Sequence, residues 1–245
     1  DWYHTDRLRV LVDLGEAAGA DLVADNQFLY DASAGKVVST AWPENSATWP
    51  LDLDDYLAGS NAYETFNLGM LKPVIRLDFM RQVGLVYEEQ ARHGQDFFHL
   101  LQFYLSGGRA LISDRALYFY TQPFGRLSRK WSHTARKRYD FQNAYEINQR
   151  YLDVAQRILP RRQWKRLRAR NQRLQLLEYY YRTRECFGRS EWLAALTLIA
   201  RHPTMMGYLL RRLYGRIRDN PGYYTTIHRI ARRSARRATK GERDA

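Results

Sequence analysis

The stretch Gly94-Gln95-Asp96-Phe97-Phe98-His99-Leu100-Leu101-Gln102-Phe103-Tyr104-Leu105-Ser106-Gly107-Gly108-Arg109-Ala110-Leu111-Ile112 decides how this chain is read. Phe97, Leu100, Leu101 and Tyr104 recur at three- and four-residue spacing, so 96–105 reads as a helix with one apolar face. Gly107-Gly108 ends it in the C-terminal capping role. Ala110-Leu111-Ile112 then reads as a short strand, and Leu117-Tyr118-Phe119-Tyr120 as another. A helix that hands the chain to strands points to a mixed α/β unit.

Toward the N-terminus the same alternation continues. Leu8, Leu11, Val12 and Leu14 have helical spacing, with Asp6 near the start and Gly19 after the end. Residues 20–30 and 36–42 read as strands joined by a turn over 31–35. A loop with Pro43 and Pro50 follows, then short helices over 52–58 and 76–82. Toward the C-terminus the period changes near residue 130. Phe141, Tyr145, Tyr151, Leu152 and Ile158 are spaced as on a helix, and Pro160 marks a break. Residues 161–187, 191–200, 203–220 and 223–237 read as further helices. The fold expected is α/β with an incomplete mixed sheet over 1–131, followed by a basic all-helical region over 132–245.

The chain has 245 residues, 45% of them apolar, which supports a sizeable core and argues against wholesale disorder. One cysteine, Cys186, excludes a disulfide framework and a multi-cysteine zinc site. The apolar run over 193–200 is far short of the roughly 20 residues that span a bilayer. The start Asp1-Trp2-Tyr3-His4 lacks a secretory signal's order and an initiator Met, and reads as the start of a fragment. Residues 1–120 hold 17 Asp/Glu against 9 Lys/Arg, and residues 121–245 hold 9 against 30. The total of +13 therefore divides into −8 and +21. A basic half of that size faces phosphates: nucleic acid, anionic lipid or a diphosphate.

Several residues carry possible chemistry. Asp96, at the start of a helix, suits either a general base or a cap for amide donors. Arg126, Ser128 and Arg129 suit a diphosphate site or a solvated basic linker equally. Lys72 beside Pro73 reads first as an exposed lysine. His93, Asp96 and His99 spread over too wide an arc for a dedicated metal site, and His99 is expected to pack beside the pocket. Cys186 has no partner in a cysteine-enzyme signature, and no Gly-rich phosphate loop is present. Over 189–218, Trp192, Leu193, Leu209, Leu210 and Leu213 interleave with arginines, the composition of helices at a membrane interface. Tyr179-Tyr180-Tyr181 among arginines is the feature that favours nucleic acid, but no recognition signature accompanies it, so no nucleic-acid partner is expected.

The order of these segments resembles the second half of a family 2 inverting glycosyltransferase of the GT-A fold, of the bacterial exopolysaccharide type. Asp1-Trp2-Tyr3-His4-Thr5-Asp6-Arg7-Leu8 is similar to the text after that family's Asp-x-Asp metal motif. Ala20-Asp21-Leu22-Val23-Ala24-Asp25-Asn26 resembles the next strand. Gly69-Met70-Leu71-Lys72-Pro73-Val74-Ile75-Arg76 resembles an acceptor-side segment. Gly94-Gln95-Asp96-Phe97 resembles Gly-Glu-Asp-Phe, whose Asp is the catalytic base, with Gln95 in place of Glu. Residues 117–129 resemble the strand and Ser/Arg loop that follow.

The resemblance implies transfer of a sugar from a nucleotide-sugar donor to a saccharide or lipid-linked saccharide acceptor, in cell-surface polysaccharide synthesis. Asp96 would be the base, Gln95, Lys72 and His99 would bind acceptor, and Arg126, Ser128 and Arg129 the diphosphate. A divalent metal (Mg or Mn) is expected in the full-length enzyme, near Asp1, which is the motif's last Asp or the residue just after it. The N-terminal nucleotide-binding half is expected to be missing, so the 245 residues alone should be inactive. The expected location is cytoplasmic, peripheral to the inner membrane, against an anionic membrane surface. The rival reading is a non-catalytic basic module that binds a membrane surface or nucleic acid.

Overall fold

The computed structural model describes residues 1–32, 34–43, 47–60, 67–92, 94–122, 141–208 and 210. Arg126, Ser128, Arg129, the helix expected over 223–237 and the boundary expected at 131/132 lie outside the described residues. The chain divides into a sheet-bearing unit, with described residues 1–89 and 94–122, and a helical unit, with 90–92, 141–208 and 210. Its class is as expected: mixed α/β followed by helices.

The sheet unit runs β1 (Trp2–Tyr3), α1 (Arg7–Ala18), β2 (Leu22–Asp31), β3 (Lys36–Thr40), β4 (Trp49–Leu51), α2 (Leu53–Gly59), a 3₁₀ turn (Leu68–Met70), β5 (Val74–Ile75), α3 (Leu77–Val83), α4 (Gln95–Leu105) and β6 (Ala110–Gln122). Two long parallel strands, β2 and β6, form its centre, in register from Leu22↔Ala110 to Asp31↔Gln122. Each is flanked by two short antiparallel strands, one beyond the other. β3 and β5 line β2, and β1 and β4 line β6. Residues 22–27 of β2 are all buried, including Asp25, Asn26 and Gln27. A strand buried so completely must bond its polar side chains internally. Asn26 does so by donating to the Trp42 carbonyl at 2.8 Å, and Gln27 by donating to the Met70 carbonyl at 3.2 Å.

Three expectations need correction. The two strands expected at 110–112 and 117–120 are one strand, β6. The polar residues between them belong to the strand: Ser113 is buried and the Asp114 amide donates to the Thr48 hydroxyl at 3.2 Å. The loop around Pro50 contains β4. Pro50 is tolerated because β4 is short and pairs through β6, where a missing donor costs little at an edge. In α1 the buried face is Arg7, Leu11 and Gly15, while Leu8 and Val12 are exposed. Gly15 lies where a β-carbon would stand 3.0 Å from Val23, so the helix approaches β2 on its glycine side.

The helical unit holds α5 (Phe141–Ile158), α6 (Arg161–Gly188) and α7 (Trp192–Arg201). Pro160 stands at the N-cap of α6, as a residue that cannot donate should. Leu167, Leu174 and Leu177 of α6 are buried, with Ile147 and Leu152 of α5. Gln90 and Arg92 join this unit through Asn143, whose side chain accepts from the Arg92 amide and donates to the Gln90 carbonyl. Among the described residues no helix is long and apolar enough to cross a membrane.

Candidate functional site

Gly94 adopts φ 73° at the start of α4, a left-handed turn that glycine makes without strain. It places Gln95 and Asp96 in the first helical turn. Phe97, Phe98, Leu100, Leu101 and Phe103 bury the rest of the helix. The Tyr56 hydroxyl donates to the Phe97 carbonyl at 3.1 Å, and the Tyr56 and Phe97 rings stack at 5.7 Å. The Asp96 carboxylate is thus held at the end of an immobilised rod, 42% exposed.

Asp96 faces a cleft of about 220 Å³, lined by Arg7, Leu71, Lys72, Pro73, Ile75, Tyr87, Asp96, His99 and Leu100. The Lys72 ammonium donates to Asp96 Oδ2 at 2.9 Å. Lys72 is fixed in turn at its backbone, where its carbonyl accepts from the Arg7 guanidinium. Arg7 donates to Asp25 Oδ1 from Nε at 3.0 Å and from the second nitrogen at 2.7 Å. Asp25 Oδ2 accepts from the Leu117 amide at 3.1 Å, at a gap in the β2–β6 register. A relay of bonds therefore runs from the central strands through α1 to the carboxylate at the cleft.

Arg7 and Asp25 are 5% and 1% exposed. Burial pushes the Asp25 carboxyl above the ordinary carboxylate range, while the Arg7 guanidinium and the Leu117 amide pull it part of the way back. The Tyr3 and Tyr118 rings flank the same guanidinium at 5.5 and 5.1 Å. Aromatic faces favour a cation there and help offset its desolvation.

Of the residues expected to bind acceptor, Lys72 and His99 line one cleft with Asp96, the expected base. Gln95 is exposed one residue before Asp96. His99 is 4% exposed and lies beneath the Tyr87 ring. Asp1 stands apart on the strand edge, where its carboxylate accepts from the Thr121 amide at 2.8 Å and the Tyr118 hydroxyl at 3.2 Å. Each Asp1 oxygen keeps a further lone pair, so the residue fits one position in a metal's coordination shell. Among the described residues no three His, Cys, Asp or Glu side chains gather as a metal cage.

Sequence reading missed Arg7, Asp25 and Tyr87. Asp25 carried a visible signal, a carboxylate directly after the apolar centre of a segment read as a strand. Tyr87 carried none, since one aromatic before Glu88-Glu89 is unremarkable in a chain with 18 tyrosines.

A mixed sheet with a carboxylate at the first turn of a buried helix, beside a small cleft, defines the class of arrangement. Over 130 residues the chain is 26% identical to the succinoglycan biosynthesis protein ExoO of Rhizobium meliloti (strain 1021). The match takes in 53% of this chain and 37% of that protein, so the chain spans well under half the length of its relative. No protein-family model matches.

Proposed function

We propose that this chain is the acceptor-side part of a glycosyltransferase in exopolysaccharide synthesis, of the inverting, nucleotide-sugar-dependent GT-A type of family 2. The observation that carries the reading is the Asp96 carboxylate, partly exposed in the cleft and fixed by Lys72 and α4. The 26% identity to a succinoglycan biosynthesis protein supports the same direction.

In such a transfer the acceptor hydroxyl approaches the anomeric carbon opposite the leaving diphosphate. Asp96 takes the hydroxyl proton as the new C–O bond forms and the bond to the diphosphate breaks. Inversion follows from the single displacement. Lys72 holds the carboxylate in one rotamer until the hydroxyl replaces it, and exposed Gln95 offers a donor and an acceptor to neighbouring sugar hydroxyls. Asp1 would hold one position of a divalent metal's shell, and such a metal would supply charge neutralisation for the leaving diphosphate. Arg126, Ser128 and Arg129 are proposed for the same diphosphate.

The same proposal puts the helical unit against an anionic membrane surface, on the cytoplasmic side. Trp192, Leu193 and Leu196 of α7 are exposed, and Arg161, Arg162, Lys165 and Arg166 open α6 with no carboxylate before Glu178. Apolar insertion and cationic attraction together suit a peripheral contact.

The test is Asp96→Asn in the full-length protein, assayed for transfer of labelled sugar from nucleotide donors to lipid-linked saccharide. Turnover should fall by about 10²–10⁴-fold, with nucleotide binding nearly unchanged. Near-normal turnover would remove Asp96 from the chemistry.

A further inference from the structure

We infer that Tyr87 is a stacking platform for one pyranose ring of the acceptor, making the cleft at Asp96 a saccharide subsite. The inference rests on the acceptor-side reading above and adds the ligand's class and the residue that receives it.

Tyr87 is 55% exposed, between α3 and α4. An exposed ring in a connecting segment ordinarily swings freely. This one is held: it lies parallel to His99, with centroids 4.2 Å apart and planes 5° apart. The imidazole beneath is fixed too, since it belongs to buried α4 and its Nδ1 stands 3.3 Å from the Val86 carbonyl. One face of Tyr87 is therefore covered and its plane is set, while the rest of the ring borders the cleft. No group among the described residues bonds its hydroxyl. Burial, and after it the Asp96 charge, raise that hydroxyl above the ordinary phenol value, so at neutral pH it remains a donor.

The lining selects the ligand. Leu71, Pro73, Ile75 and Leu100 are apolar, and the polar groups are Arg7, His99, the Lys72–Asp96 pair and the Tyr87 hydroxyl. A pyranose matches this: its C–H groups form an apolar face and its hydroxyls ring the edge. An aromatic face carries negative charge density that attracts such C–H groups. A nucleotide matches less well. The cations at the cleft, Arg7 and Lys72, are already paired with Asp25 and Asp96, and Asp96 repels a diphosphate. Size points the same way. Drug-sized ligands occupy about 300–1,000 Å³, so a cleft of about 220 Å³ suits one ring.

The test uses the 245-residue chain and saturation-transfer NMR. Its probes are neutral tetrasaccharides of β-glucose, α-glucose and β-galactose and, separately, UDP and GDP. At least one tetrasaccharide should bind, with saturation concentrated on the ring protons of one sugar. Tyr87→Leu, which keeps apolar bulk but no ring face, should weaken that binding about tenfold or more. Tyr87→Phe should bind within about threefold of the parent. Circular dichroism checks the fold, and the exposed site makes both variants tolerable. Binding of no tetrasaccharide overturns the inference. So does a Tyr87→Leu variant that binds saccharide as the parent does, or one that loses nucleotide instead. If Tyr87→Leu abolishes saccharide binding while Asp96→Asn leaves transfer intact, the platform stands and the base assignment falls. The opposite pair of results removes the platform and keeps the base.

Discussion

Arg7 and Asp25 lie 5% and 1% exposed inside the sheet unit, whereas Leu193 lies 81% exposed on the helical unit. The two units solve burial differently. The sheet unit takes charge inside and bonds it at short range, with Arg7–Asp25 contacts of 2.7 and 3.0 Å. The helical unit also buries a charge, Glu178, which accepts from Arg182 on the same helix at 2.6 Å, but between α5 and α6 its bonds are uncharged or longer, and Asn171 donates to Gln149 at 2.9 Å. Asn148 donates to the Leu167 carbonyl at 3.4 Å and accepts from Arg170 at 3.5 Å. Such lengths sit at the weak end of the hydrogen-bond range. In the sheet unit the short bonds lead to the cleft, so that unit spends its costliest interactions where a side chain must be placed accurately. The helical unit needs only a stable rod pair that leaves an apolar and cationic exterior.

The largest effect should come from breaking the buried pair. Asp25→Ala leaves the Arg7 guanidinium buried without its counter-charge and the Leu117 amide without its acceptor. A loss of about 3–5 kcal/mol is expected from the sheet unit, read as a lower urea midpoint. A loss under 1 kcal/mol would mean that water reaches Arg7 freely.

The helical unit should respond to apolar truncation only where it is packed. Leu174→Ala, at a 3% exposed site on α6, should cost about 2–5 kcal/mol. Leu193→Ser should change stability by no more than about 0.5 kcal/mol. The same Leu193→Ser variant should bind anionic vesicles less tightly than the parent in a sedimentation assay. Equal vesicle binding would separate α7 from the membrane reading.

The smallest effect concerns pH. Asp25 binds its proton more tightly in the folded chain than in the unfolded one, because burial disfavours its charge. That contribution is fully present below the ordinary carboxylate value and is lost as pH rises through the raised folded value. The parent should therefore gain stability relative to Asp25→Asn as pH falls from neutrality toward 4. Exposed Asp6, whose hydrogen bond from Arg9 lowers its carboxyl, acts in the opposite sense. A parent-to-variant difference that stays flat with pH would mean Asp25 titrates normally.

Much of this architecture was legible from spacing alone. The helix at 96–105 carries helical apolar spacing, the strand at 20–30 an apolar centre at Leu22-Val23-Ala24, and the long helix after Pro160 a start that the proline marks. The misreadings have local causes. Pro50 disguised β4, because proline weighs against a strand unless the strand is an edge. Polar Ser113 and Asp114 separate two apolar runs within β6, and the pairing that carries the strand through them, with Thr48 accepting from the Asp114 amide, is not local in sequence. The site was legible in part. Asp96 and Lys72 were named from the resemblance, and they meet at 2.9 Å. Their support was not legible, since Arg7 and Asp25 are linked only after α1 docks on β2. His99 was named for a ligand contact, but a sequence cannot tell which of two stacked rings lies outermost.

The parallel pairing of β2 with β6 has a consequence for how the molecule is made. Leu22 pairs with Ala110, and everything between must be synthesised before the central ladder can begin. At ribosomal speeds of about 5–20 residues per second, those 87 residues take roughly 4–17 s. Throughout that interval a strand rich in apolar and polar groups waits without its partner, and the β2–β3 hairpin protects only one edge. For that interval β2 presents an open strand edge, the feature that invites pairing with another chain.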